Sequence, residues 1–172
     1  FQPAWFSIAE VSAGSMLATP APTKGSLAQA ADKAIWSSPA ALTLAAMEAL
    51  RDTLGAQPMP WHLDWTQLSQ VESGALPLLG GLFSSLCAEP VSLRFTGANQ
   101  LVETLRALTP SSDRSVDMTS WEVRLNVLRT MRLQDEFELA ALDFCVTYEV
   151  SPPGWIEASC QYEDVSSTSP PQ

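Results

Sequence analysis

The sequence predicts an α/β fold, a sheet with its helices mainly on one face, extended by an added C-terminal helix and strand. Three observations carry that prediction. Segments with apolar residues at helical spacing alternate with short segments in which apolar and polar residues alternate. The helical segments have the length of a crossover between parallel strands. Strands that read apolar-polar-apolar leave one face polar, whereas strands covered on both faces read as continuous apolar runs.

From Phe1 to Pro22 the chain mixes Trp5, Phe6, Ile8 and Val11 with small residues, an extended segment that ends in a proline-rich turn. Gly25 to Ala34 is Ala-rich and compatible with a short helix, and Ala34-Ile35-Trp36 with a short strand. Ser38 then caps a helix that opens on Pro39 and carries Leu44, Met47, Leu50 and Leu54 inward until Gly55. Pro58 and Pro60 break the chain, and Trp61, Leu63 and Trp65 alternate with His62, Asp64 and Thr66 as a strand does. A second helix begins at Ser73 or its neighbour, tolerates Pro77 in its first turn, and buries Leu79, Leu82, Phe83 and Leu86. Val91 to Phe95 is the next strand, parallel to the first, and Gly97 to Leu108 the next helix, stopped by Pro110.

Thr119 and Glu122 form a capping-box pattern ahead of a helix with Trp121, Leu125 and Leu128 on its apolar stripe, ending near Leu133. Asp143 to Ser151 reads as the strongest strand, with Phe144, Val146, Tyr148 and Val150 on one face. Pro152-Pro153-Gly154 turns the chain, Ser159 to Glu163 forms a last strand, and Ser166 to Gln172 is expected to be a disordered tail. The core is expected to hold Leu44, Met47, Leu63, Leu79, Phe83, Leu93, Leu105 and Leu128.

At 172 residues the chain buries roughly 70% of its extended surface, enough for a core without metal or disulfide staples. The net charge is -10, and it is unevenly placed: five Lys/Arg against eight Asp/Glu up to Pro110, then four against eleven. Such a field repels phosphate backbones and anionic lipid headgroups, so nucleic acid is excluded as a partner and a basic protein is favoured. No apolar run approaches the roughly 20 residues that span a bilayer, so no direct membrane insertion is expected. Cys87, Cys145 and Cys160 are odd in number, without CxxC spacing, which fits free thiols in the cytoplasm.

Leu68-Ser69-Gln70-Val71-Glu72-Ser73-Gly74-Ala75-Leu76 runs an acidic residue and a hydroxyl straight into a helix. Val91 to Phe95 is followed by Gly97-Ala98-Asn99-Gln100-Leu101, a second strand with an Asn-containing turn into a helix. In these stretches, residues 34–110 resemble the STAS domain, the fold of anti-sigma-factor antagonists and of small accessory subunits of some bacterial lipid transporters. The resemblance implies one STAS-like domain with a mixed sheet over residues 1–165, with N- and C-terminal additions. It also implies a docking surface around Glu72, Ser73, Gly74 and Asn99. The family pattern Asp-Ser-Ser-Gly-Leu leaves two registers open: matching Ser-Gly puts Ser73 at the phosphoacceptor, and matching Glu72 to the Asp puts Gly74 there.

A hydroxyl ahead of a helix faces free backbone N–H groups that would stabilise a phosphate, and the same Ser serves equally as an ordinary N-cap. His62, the one histidine, shares a strand face with Asp64, as a general base and its orienting carboxylate would, but no nucleophile completes the set. No phosphate-binding loop or dinucleotide fingerprint occurs. The expectation is a non-enzymatic, regulatory or scaffolding domain that binds another protein, with no cofactor and no metal, and with a homodimer compatible. An accessory subunit of a bacterial lipid transport complex and an acidic secretion chaperone are the alternatives.

Overall fold

The structure, a computed structural model, describes residues 33–165. The segments expected from Phe1 to Asp32 and the tail from Ser166 lie outside the described residues. In chain order the elements are β1 (Trp36–Ser37), β2 (Ala41–Leu42), α1 (Leu44–Ala56), β3 (Trp61–Asp64), β4 (Gln70–Val71) and α2 (Leu76–Ala88). They continue with β5 (Ser92–Thr96), α3 (Ala98–Leu108), α4 (Met118–Thr130), α5 (Gln134–Tyr148) and β6 (Gln161–Asp164). The α/β class expected from the alternation is what forms.

Four strands make one sheet in the order β1-β3-β5-β6, and every pairing in it is parallel. The expected neighbours pair residue for residue, Trp61 with Leu93 and Leu63 with Phe95. The strand order runs in one direction only. Because parallel crossovers are right-handed, a sheet that always advances the same way receives its connecting helices on the same face. On that face Leu63 and Phe95 are fully buried, and Phe95 meets Phe83 of α2 edge-on, ring centres 6.0 Å apart. The opposite face carries His62, Arg94 and Glu163 side by side across three strands, with Arg94 paired to Glu163 at 3.1 Å. Helix α4 packs on α2 and α3, and α5 packs on α4.

Helix α1 starts at Leu44, not at Pro39. Ala41 and Leu42 are drawn instead into a two-residue parallel ladder with Gln70 and Val71, which buries Leu42 and Val71. Thr43 takes the capping role expected of Ser38, its hydroxyl accepting from the Ala46 N–H at 3.1 Å, an interaction that stabilises a helix by about 1 kcal/mol. Leu44 thus becomes the first helical residue and is 48% exposed, while Met47, Leu50 and Leu54 point inward as expected. The other seven expected core residues are buried.

In α4 the cap is Asp117, whose carboxylate accepts from the Thr119 N–H at 2.8 Å, so Thr119 is inside the helix and the capping box does not form. That hydrogen bond holds the Asp117 carboxyl below its ordinary range. The largest departure is Asp143 to Ser151, which is the end of helix α5 down to Tyr148 and no strand. Phe144 and Tyr148 are four residues apart, one turn of helix, and both meet Trp121, Phe144 at a tilt and Tyr148 edge-on. A strand would also have placed Val146 with them, but Val146 points to solvent.

Candidate functional site

The C-terminal ends of β3 and β5 are joined at close range. The Asp64 carboxylate accepts from the Thr66 N–H at 2.9 Å, which turns the chain after β3, and the Trp65 N–H donates to the Thr96 carbonyl at 2.8 Å. Gly97 has φ +70°, the left-handed region that favours glycine. A Cβ there would lie 2.6 Å from the Thr66 backbone, so this turn is closed to any side chain. The loop beside Gly97 is therefore the one at Thr66.

Glu72, Ser73 and Gly74 sit elsewhere in the topology. They follow β4, which pairs with β2 in the separate ladder and not with the main sheet. All three are exposed in the turn that leads to α2, and the Ala75 N–H closes that turn on the Glu72 carbonyl at 2.9 Å. Helix α2 starts at Leu76 with Ala75 at its N-cap, without a side-chain cap, so Ser73 is not the first residue of the helix and does not cap it. Pro77 lies in the first turn as expected. Asn99 is exposed in the first turn of α3. Among the described residues no side-chain hydrogen bond joins Glu72 or Ser73 to Asn99.

His62 and Asp64 share a face of β3 but do not act on one another. The His62 Nε2 lies 2.6 Å from the Thr96 hydroxyl, and the Asp64 carboxylate is engaged by Thr66. His62 is 4% exposed and its Nδ1 is without a hydrogen-bond partner. That pairing makes the histidine a cross-strand tie between β3 and β5. Cys87, Cys145 and Cys160 are all free thiols, and burial pushes the Cys160 thiol up. Among the described residues no group of three or more His, Cys, Asp or Glu could hold a metal ion. No helix among them is long and apolar enough to cross a membrane.

The surface feature that sequence reading missed is on α5. Leu139, Leu142 and Val146 are 70%, 56% and 65% exposed, and their three- and four-residue spacing lines them along one side of the helix. The opposite side of the same helix is committed to the interior through Phe137, Ala140, Ala141 and Tyr148. The helix itself was signalled in the sequence by Phe137, Ala141, Phe144 and Tyr148 recurring at helical spacing, and Leu139, Leu142 and Val146 form a second apolar stripe at the same period. The period-2 run from Phe144 to Val150 masked that pattern. No family model matches the chain, and neither does any curated protein or solved structure.

Proposed function

We propose that the protein is a non-enzymatic protein–protein interaction domain with a regulatory or scaffolding role. The observation that carries this reading is the outward stripe of Leu139, Leu142 and Val146 on α5. Apolar side chains scattered singly over a surface need no explanation, whereas contiguous ones are where partners dock. The STAS resemblance of residues 34–110 supports the same class of function, and the order β3, α2, β5, α3 in that segment is in keeping with it. On that resemblance Glu72, Ser73 and Gly74 ahead of α2, and separately Asn99 on α3, are further docking positions, with Ser73 open to modification because its side chain is exposed and caps no helix. The three unpaired thiols support a cytoplasmic setting.

The test is photo-cross-linking in the host cell, with a photoreactive residue placed at position 142 on α5 and, separately, at position 52 on α1, where Asp52 is also exposed. A discrete adduct with another protein is expected from position 142 and none from position 52. No adduct from 142, or the same adducts from both positions, would remove the reading.

A further inference from the structure

The stripe on α5 is bordered by carboxylates along its length. With about 100° of rotation per residue, Leu139, Leu142 and Val146 fall within roughly 60° of one another. On the same geometry Glu136 and Asp143 flank them on one side and Glu138 on the other, with Asp135 in line at the N-terminal end. Glu149 continues the second border from the helix C-cap. Gln134–Tyr148 contains no Lys or Arg. Some of these acids are engaged from elsewhere: Glu136 lies 3.6 Å from Arg106, Glu149 3.1 Å from Arg114, and Asp143 accepts from the Ser111 hydroxyl at 2.5 Å. Asp135 and Glu138 form no ion pair among the described residues.

Charge decides what fits this surface. A second copy docking α5 on α5 would bring two carboxylate borders together, and like charges facing across an interface oppose association. The chain's own segment from Phe1 to Asp32 holds a single cation, Lys24, against Glu10 and Asp32, so it offers no cationic complement. A helix with apolar anchors at three- and four-residue spacing and Lys or Arg on either side matches both the stripe and its borders. Resting on the reading that α5 binds a partner, we propose that α5 is the docking face for a basic amphipathic helix of another protein. Leu139, Leu142 and Val146 receive its apolar side, and Asp135, Glu136, Glu138 and Asp143 receive its cations. The stripe is about 10 Å long, two turns of helix, a short contact suited to a reversible association.

The experiment uses the full chain and two labelled 18-residue peptides: one with Leu at the helical i, i+3, i+4, i+7 positions and Lys elsewhere, and a twin with Glu in place of every Lys. Binding is read by fluorescence anisotropy at low and high salt. The Lys peptide is expected to bind at least about tenfold more tightly than the Glu twin, and to weaken as salt rises. Leu142→Asp adds a carboxylate while removing an apolar anchor, so general attraction to an acidic surface predicts undiminished binding. Docking on the stripe predicts a loss of about tenfold. The pair Asp135→Asn with Glu138→Gln keeps the stripe and should weaken the Lys peptide several-fold. Melting temperatures equal to wild type establish that these surface variants fold. Undiminished binding in Leu142→Asp, or equal binding of the two peptides, overturns the proposal. So does a wild-type dimer in sedimentation that Leu142→Asp dissociates, which would identify a second copy as the occupant. If a cross-link forms from position 142 but the Lys and Glu peptides bind alike, only the charge inference falls; if neither cross-link nor peptide binding occurs, the docking reading falls with it.

Discussion

Tyr162 of β6 lays its ring against Phe95, centres 5.1 Å apart, and carries its hydroxyl to a place with no hydrogen-bond partner among the described residues. Burial pushes its pKa up, and Asp164 adds to the shift. In the unfolded chain the phenol titrates near 10, so the stability gained by keeping it neutral is complete below about pH 10. It is lost as pH rises from there through the folded pKa. Tyr162→Phe removes both the unpaired hydroxyl and this titration. The expected result is a gain of about 1 kcal/mol at neutral pH and a smaller loss of stability at alkaline pH, measured by urea unfolding at pH 7 and pH 11. The buried Cys160 thiol, also shifted upward, leaves part of the alkaline loss in place. At this scale the sequence was legible wherever chemistry and conformation are local. Pro77 is tolerated where it was expected, because a first-turn proline forfeits no helical hydrogen bond. Capping was not legible, because Ser38, Thr43, Ser73, Asp117 and Thr119 all have the right side chain. Which of them caps depends on where tertiary pairing lets the helix start.

Helix α5 shows where reading by element succeeds and fails. Phe144, Val146, Tyr148 and Val150 alternate, and Val, Thr, Tyr and Phe favour strands, so propensity and period agree on the wrong answer. What overrides them is Trp121, which offers Phe144 and Tyr148 a shared aromatic contact that only the four-residue spacing of a helix can satisfy. Two substitutions separate the structures. Phe144→Ala should destabilise the protein by about 2 to 3 kcal/mol. Val146→Ala should change stability by no more than about 0.5 kcal/mol, because it trims an exposed side chain and Ala is the better helix former. In a strand with Phe144 and Val146 on one buried face, the two losses would be comparable; chemical denaturation of both variants checks which pattern holds. Helices α2 and α3 were legible because a strong apolar stripe meets a clear stop. The start of α1 was not, since β2 is two residues long and is held by β4, some thirty residues away in the chain.

Across the molecule, the one-sided packing was legible in the alternation within Trp61 to Thr66 and Val91 to Phe95, and the parallel pairing of those strands followed from the helix between them. The surface that presents Leu139 to Val146 was not, because solvent exposure of an apolar residue depends on which neighbours the fold brings over it. All the helices and the sheet share one hydrophobic core cluster, in which Leu79 of α2 is fully buried. Leu79→Ala should therefore cost about 2 to 5 kcal/mol and shift the whole unfolding transition together. Coincident curves from tryptophan fluorescence and far-ultraviolet circular dichroism are expected; separated curves would show that the core is not one cooperative unit. The one-way order of the strands has a mechanical corollary. The described chain arrives at one edge of the sheet, ahead of β1, and departs from the other, after β6, with three strand spacings between them, about 14 Å. Tension applied through residues 33 and 165 is therefore carried across the sheet through β1, which is held to β3 by a ladder of only two residue pairs, Trp36 with Leu63 and Ser37 with Asp64. Under load the fold would yield first at that edge, leaving β3, β5, β6 and the docking helix intact behind it.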